Sequence, residues 1–317
     1  MAMNRVQFQR GTSLAVFLER YGSEEQCETA LVKQRWGAGF CCDRCTANGF
    51  RSFRRGSLLY RECVDCGRQI SLLVGTLFEH TRLSLTKWFL ALYLLTQSKT
   101  NMAALELGRH MDVCYRTAWR VKHKVLKAME NEESARQLEG IVLLDDAYLG
   151  GEQNGGKVGR GSENKVPFLM AVSLSDDGRP LHVVASRVEG FTKQAVSQWA
   201  QTHLTGDCEI YSDGLNCFPV VSDLGHAHTV VEAKGRAATQ TEPMRWLNVV
   251  LSNLKRSIDG TYHSVRFRKY TQRYLAEAMW RFNRRFNLSA ILAQLIANCV
   301  QSKPWTEARL RSEKLAY

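Results

Sequence analysis

Ile141-Val-Leu-Leu-Asp-Asp146 is an apolar run that closes on adjacent carboxylates, Asp145 and Asp146, ahead of Ala147-Tyr-Leu-Gly-Gly151. A second run, CEIYSD at 208–213, closes in the same way on Asp213. Short aliphatic runs bounded by turn residues predict buried strands. PFLMAVSL (167–174), LHVVASRV (181–188) and HTVVE (228–232) extend the set, and residues 192–203 carry a helical pattern, so an α/β domain is expected. Residues 150–165, GGEQNGGKVGRGSENK, read as a basic connecting loop. Residues 243–259 and 268–286 read as amphipathic helices. An aspartate at a strand end is commonly a turn residue or cap. Two of them at the ends of different buried strands, where their side chains can emerge together, would suit the hard-oxygen ligand set that metal-assisted phosphoryl chemistry needs.

Upstream, the chain changes character. Cys42-Asp-Arg-Cys45 and Cys63-Val-Asp-Cys66 are two CxxC pairs separated by 17 residues, within the spacing of a four-cysteine zinc ribbon. Each pair brings two thiolates to one side of a tight bend, and the two bends complete a tetrahedron. Four thiolates leave no open position, so a zinc ion there is expected to be structural. Cys41 leaves the register ambiguous, although only Cys42 gives the two-residue gap to Cys45. Residues 13–35 predict two helices, the second opened by the capping-box pair Ser23 and Gln26.

A helical module follows from Ser84, with Leu85, Trp88, Phe89, Leu92 and Leu95 on one face. The segment TNMAALELGRHMDVCYRTAWRVKHKVLKAM (100–129) fits a helix, a turn at Met111–Val113 and a second helix from about Cys114, the pattern of a helix-turn-helix. On the second helix Tyr115, Ala118 and Trp119 are expected to form the apolar face. Arg116, Thr117, Arg120 and Lys124 are the candidate DNA contacts.

The composition agrees with a polyanionic partner. A chain of 317 residues with formal net charge +12 and 44% hydrophobic content predicts about two globular domains and, through phosphate neutralisation, a nucleic-acid ligand. No segment reaches the ~20 apolar residues of a membrane span. MAMNRVQFQR lacks a signal-peptide core, so a cytoplasmic, bacterial, nucleoid-associated protein is expected. Of the ten cysteines, Cys27, Cys114, Cys208, Cys217 and Cys299 read as buried thiols.

Residues 10–290 resemble the DDE transposases of the fifteen-ninety-five insertion-sequence family, the zinc-ribbon group. The resemblance rests on Phe40 to Cys45, the second cysteine pair with Ser71 and Gly75-Thr76, and Thr117-Ala118-Trp119. It continues through Leu144 to Gly151, Tyr211 to Gly214, Trp246 to Lys255, Gly260 to His263 and Arg281 to Arg285. It implies a ribonuclease-H-like core with Asp145 and Asp213 as ligands of magnesium or manganese and a third ligand on the helix after the last strand. Many relatives have Glu there, seven residues before a Lys; here Asn248 stands seven before Lys255, as in the subgroup carrying Asn. Asp146 and Glu242 are the alternative third oxygens. Lys255 is expected to grip the phosphate beside the cleaved bond, and His263 and Glu277 to support the site. The cluster Arg266, Arg268, Lys269, Arg273, Arg281, Arg284 and Arg285 is a candidate track for DNA backbone.

The expected organisation is an α+β multidomain chain. It comprises a helical extension (1–36), a zinc ribbon (37–80), a helix-turn-helix region (84–130), a linker (131–140), a ribonuclease-H-like α/β core (141–290) and a C-terminal tail (291–317). The expected activity is cleavage and strand transfer at the terminal inverted repeats of a mobile element, by a homodimer or higher homo-oligomer on double-stranded DNA. The competing readings are a non-catalytic zinc-ribbon and helix-turn-helix regulator, or a structure-selective nuclease.

Overall fold

The computed structural model describes residue 6 and residues 9–150, 165–231, 244–262 and 267–312. It divides the chain into two compact units. One is built from residues up to Ser98, Ala104–Ala128 and the stretch from Asn287. The other is built from Lys99–Ala103 and Met129–Phe286.

The first unit opens with α1 (Leu14–Tyr21) and α2 (Glu24–Trp36). At α2 the Ser23 hydroxyl accepts from the Gln26 amide while the Gln26 side chain accepts from the Ser23 amide, the reciprocal cap its sequence predicts. A three-stranded antiparallel sheet follows, β1 (Phe50–Arg55), β2 (Leu58–Cys63) and β3 (Gln69–Ser71). Helix α3 (Leu85–Gln97) is capped by Ser84, and the Glu24 carboxylate accepts from the Leu85 and Thr86 amides. A negative charge at a helix start is electrostatically favoured. Two further helices are α4 (Ala104–Met111) and α5 (Tyr115–Glu133). The end of α5 carries helix into the first part of the stretch expected as a linker.

The second unit is a five-stranded mixed sheet. Its strands are β4 (Ile141–Leu149), β5 (Val166–Leu174), β6 (Pro180–Arg187), β7 (Glu209–Ser212) and β8 (Ala227–Val230), in the order β6-β5-β4-β7-β8. The pairs β4–β5 and β5–β6 are antiparallel, whereas β4–β7 and β7–β8 are parallel. Alternation along β4 sends Val142 and Leu144 to one face. There they pack with Ile210 of β7, with Val196, Trp199 and Ala200 of α6 (Lys193–His203), and with Phe218 and Val221 of a short 3-10 helix. The odd-numbered positions, Leu143 and Asp145, belong to the opposite face. That face is covered by α7 (Arg245–Asp259), which packs on β4 and β5, and by α8 (Phe267–Asn283), which packs on β5 and β6.

The chain then returns to the first unit. Residues read from sequence as a tail form α9 (Ile291–Gln301), which packs on α2 and α3 with Ile291, Leu295, Ile296 and Cys299 buried, and α10 (Glu307–Ser312). A run of apolar residues at helical spacing buries itself where a core is available.

Candidate metal centres and the α4–α5 element

In the first unit the two CxxC bends are built alike. The Cys42 amide donates to the Ala47 carbonyl and the Cys63 amide to the Arg68 carbonyl, each at 2.9 Å. The Thr46 and Gly67 amides return to the Cys42 and Cys63 carbonyls, each at 3.0 Å. Thr46 and Gly67, the residues after each second cysteine, both take positive φ, 60° and 68°. These bends aim four sulfurs at one point. Cys42 Sγ lies 3.6 Å from Cys66 Sγ, Cys45 Sγ lies 3.5 Å from Cys63 Sγ, and all four fall within 4.8 Å of one another. A Zn–S bond of ~2.3 Å in a tetrahedron sets sulfur–sulfur edges of about 3.8 Å, so the cage fits that ion. The amides of Arg44 and Cys45 draw the Cys42 thiol down to about 7, while the neighbouring sulfurs push Cys45 and Cys66 up, so the four thiols share protons and a cation would be needed for all of them to ionise. Cys41 is exposed and stands outside the cage, its sulfur turned to the Thr46 carbonyl, which resolves the register in favour of Cys42.

The second constellation is set by strand register. Leu144 of β4 pairs with Ser212 of β7 in parallel, which sets Asp145 beside Asp213, the residue just past β7, on the α7 face; β4 does not close at Asp145 and Asp146 as expected but pairs with β5 as far as Leu149, so Asp145 lies within the strand. Carboxylate oxygens of Asp145, Asp146 and Asp213 lie within 4.8 Å of one another. The Asp146 amide donates to Asp145 Oδ1 at 2.8 Å, and the Leu215 amide to Asp213 Oδ1 at 3.1 Å. Burial, reinforced by the charges of Asp213 and Asp146, pushes the Asp145 carboxyl up to about 7. Lys255 acts in the opposite direction. A divalent cation would supply the charge this cluster calls for. Asp146, named from sequence only as an alternative, is a full member of the cluster.

Helix α7 carries Asn248 and Lys255 half-buried, among the buried Leu247, Val250, Leu254 and Ile258. The Asn248 amide nitrogen donates to the Met244 carbonyl at 3.2 Å. Glu277 is fully buried and serves the helix scaffold. It accepts from Tyr262 Oη at 2.7 Å, from Arg281 Nη1 at 3.2 Å and from the Met102 amide at 3.4 Å. Glu242 and His263 lie outside the described residues, as do Arg266, the Arg268 side chain and residues 151–164 of the connecting loop.

Several arginines expected along DNA are internal instead. Arg273 and Arg281 are buried, and Arg284 pairs with Glu132 and Glu133. Arg285 donates to the Leu181 and Pro180 carbonyls. Buried guanidinium groups need partners, and α5, β6 and α8 supply them.

Around α5 the picture is mixed. Arg116 and Arg120 are exposed, and both ion-pair with Glu307. Thr117 is half-buried; its amide donates to the Cys114 carbonyl at 3.0 Å, closing the first turn. Ala118 and Trp119 are buried as expected, but Tyr115 is exposed, and so is Cys114, expected as a buried thiol, because it stands just before the first turn of α5 with its carbonyl accepting from the Thr117 and Ala118 amides. Lys124 turns inward: its ammonium donates to the Leu77 carbonyl at 3.2 Å and lies 5.9 Å from the Trp88 ring centroid, where burial lowers its pKa. Glu307 is the participant that sequence reasoning missed, because nothing local marks a single glutamate as the partner of arginines some 190 residues earlier.

Two domain comparisons fall on these two constellations. Residues 22–69, spanning the four-cysteine cage, match the transposase zinc-ribbon domain. Residues 137–283, spanning the sheet and the aspartate cluster, match the ISXO2-like transposase domain. A relative from Halobacterium salinarum, described as an uncharacterized protein in transposable element ISH50, is 26% identical over 216 residues, covering 63% of this chain and 71% of that protein. Among the described residues no helix is long and apolar enough to cross a membrane. With a zinc-ribbon match over one cage, a transposase-domain match over the other, and both in one chain in the expected order, this protein belongs to the IS1595 family of insertion-sequence transposases.

Proposed function

We propose that this chain is the working transposase of an insertion sequence, binding the element's terminal inverted repeats and carrying out phosphodiester cleavage and strand transfer. The observation that carries the reading is the convergence of Asp145 and Asp213 on adjacent parallel strands, with carboxylate oxygens within 4.8 Å of one another and α7 on the same face. The sheet is a three-stranded antiparallel meander continued by two parallel strands, the arrangement expected of a ribonuclease-H-like core. Asp145, Asp213 and Asn248 would hold magnesium or manganese, which supplies charge neutralisation at both the entering and the leaving oxygen. Lys255, close enough to act electrostatically on Asp145, would bind a non-bridging phosphate oxygen. In the first reaction water adds to phosphorus and the 3′-oxygen leaves as a hydroxyl. In the second that 3′-hydroxyl adds to a target phosphorus and displaces the target strand's own 3′-oxygen. The α4–turn–α5 element and the zinc ribbon would place DNA, with Arg116 and Arg120 the residues best exposed for it. Joining two ends calls for at least a homodimer.

A cleavage and joining assay on DNA carrying the gene's own flanking sequence tests this. Asp145→Ala and Asp213→Ala are expected to abolish both reactions while DNA binding persists, Asn248→Ala to be severely impaired, and Asn248→Asp to keep activity at a shifted metal optimum. Binding without cleavage by the unaltered protein would favour a DNA-binding regulator instead, and cleavage without joining a nuclease. Asp146 has a specific claim to the third position because its carboxylate already lies in the cluster. Wild-type rates in Asn248→Ala with loss in Asp146→Ala would assign the position to Asp146.

A further inference from the structure

The segment that follows α9 lies against α5. The Thr306 hydroxyl accepts from the Arg309 amide at 3.2 Å and the Thr306 carbonyl from the Leu310 amide at 2.9 Å, opening α10, and Leu310 is fully buried. Anchored in this way, Glu307 meets the start of α5. Its two oxygens accept from Arg116 Nε at 3.0 and 3.3 Å, one of them also from Arg311 Nε at 3.0 Å, and Arg120 Nε stands 3.8 Å away. The Arg311 guanidinium in turn lies 4.1 Å from the Trp119 ring centroid. The carboxylate is the covered member of this group, its side chain 17% exposed, against 72% for Arg116 and 46% for Arg120. Beside it runs a cleft of about 700 Å³ lined by Arg82, Trp88, Thr117, Arg120, Lys124 and Trp305.

Three guanidinium groups around one carboxylate leave the site positive, and the groups facing solvent are the cations. A carboxylate and a phosphodiester present the same feature to an arginine, two oxygens spaced for its fork of N–H donors. We propose that Arg116, Arg120 and Arg311 form a site for a backbone phosphate of duplex DNA, and that Glu307 occupies this site in the free protein as an internal competitor. The inference rests on the reading of α5 as a DNA-contacting helix. A tethered carboxylate competes at high effective concentration, so DNA must displace it before the arginines engage. Phosphate is common to every sequence, so the competitor weakens binding to all duplexes alike. Glu307 acting as a brace that preorganises Arg116 would have the opposite signature, because removing it would weaken binding.

The test uses the full chain with two duplexes, one carrying the element's flanking end and one unrelated, at fixed salt. Glu307→Gln is expected to tighten both by on the order of threefold to thirtyfold, and to change nothing when Arg116 and Arg120 are already alanine. Zinc content and a thermal melt report on folding. Should the glutamine disturb α10, Glu307→Asp, which withdraws the carboxylate from Arg116, is expected to shift affinity in the same direction. Equal or weaker binding by folded Glu307→Gln overturns the proposal, as does tightening that survives loss of both arginines. If the double alanine variant binds DNA as wild type does, the reading of α5 falls and the proposal with it. If that variant weakens binding while Glu307→Gln gains nothing, the competitor alone is refuted.

Discussion

Asp145 shows how a side chain suited to holding a cation burdens the fold when none is bound. A carboxylate in an unfolded chain titrates near 4. In the fold, burial and the neighbouring Asp213 and Asp146 push Asp145 up to about 7. The folded state therefore holds a proton that the unfolded chain has released. The stability this contributes is full below about pH 4, falls as pH rises, and is gone above about pH 7. The upper bound on the difference is on the order of 4 kcal/mol. Asn removes the charge and keeps the shape, so Asp145→Asn is expected to raise the melting temperature of chelator-treated protein at pH 8 by several degrees, with little change near pH 4. Magnesium should stabilise the wild type at pH 8 and lose much of that effect in the variant. An unchanged or lowered melting temperature for the variant at pH 8 would show that the carboxylates are not crowded at the cost their geometry implies.

Between α4 and α5 the chain turns through a local motif. The Val113 amide reaches back to the Gly108 carbonyl at 3.0 Å and the Asp112 amide to the Arg109 carbonyl at 3.4 Å, with Asp112 at φ 50°. This is a Schellman-type helix end in which aspartate takes the left-handed position usually given to glycine. Gly108 serves the packing instead, since a Cβ there would lie 3.2 Å from the Val113 carbonyl oxygen and 3.3 Å from the Ala118 Cβ. Gly108→Val is therefore expected to separate α4 from α5, to destabilise the protein by about 1–3 kcal/mol, and to lower DNA affinity. Gly108→Ala gains helix propensity of up to ~1 kcal/mol against a tight contact and should lie near neutral. A denaturant titration of both variants checks this, and a neutral valine variant would mean the helices have room to spare. The sequence located this turn at Met111–Val113 but had no means of telling that its glycine was a packing residue, because close approach is a property of two helices. Features with a local cause were legible: the Ser23–Gln26 cap, the cysteine spacing, and the strands that carry Asp145 and lead to Asp213, although β4 runs past the expected end at Asp145 and Asp146 to Leu149 because β5 pairs with it that far. Features that depend on distant partners were not. Lys124, Arg273, Arg281, Arg284 and Arg285 carry the charge of a DNA surface, and only the fold shows that Leu77, Glu133 and the carbonyls of Pro180 and Leu181 engage several of them. Residues 291–312 likewise become helices in a core because α2 and α3 offer α9 an apolar surface.

At the scale of the whole molecule, a formal net charge of +12 overstates the charge offered at the surface, because part of the basic complement is held inside. Half-buried Arg285 is one such case: burial lowers it to about 10, and its donors engage the Leu181, Phe282 and Pro180 carbonyls. Arg116 is the contrast, 72% exposed on the first turn of α5. The salt dependence of binding separates the two kinds of charge, since only a residue that neutralises a phosphate releases a counterion. A protein contacting on the order of six to ten phosphates loses about 10³- to 10⁵-fold in affinity between 50 and 200 mM salt, and a loss of this size is expected for the full chain on an unrelated duplex. Arg116→Ala should reduce the slope of log affinity against log salt by about one, the signature of a single lost phosphate contact. Arg285→Ala, wherever it remains folded, should leave that slope unchanged, because its charge never reaches the backbone. Matching slope changes in the two variants would mean that Arg285 leaves its carbonyl partners on DNA, and a slope near zero for the wild type would remove duplex backbone as the partner of this basic chain.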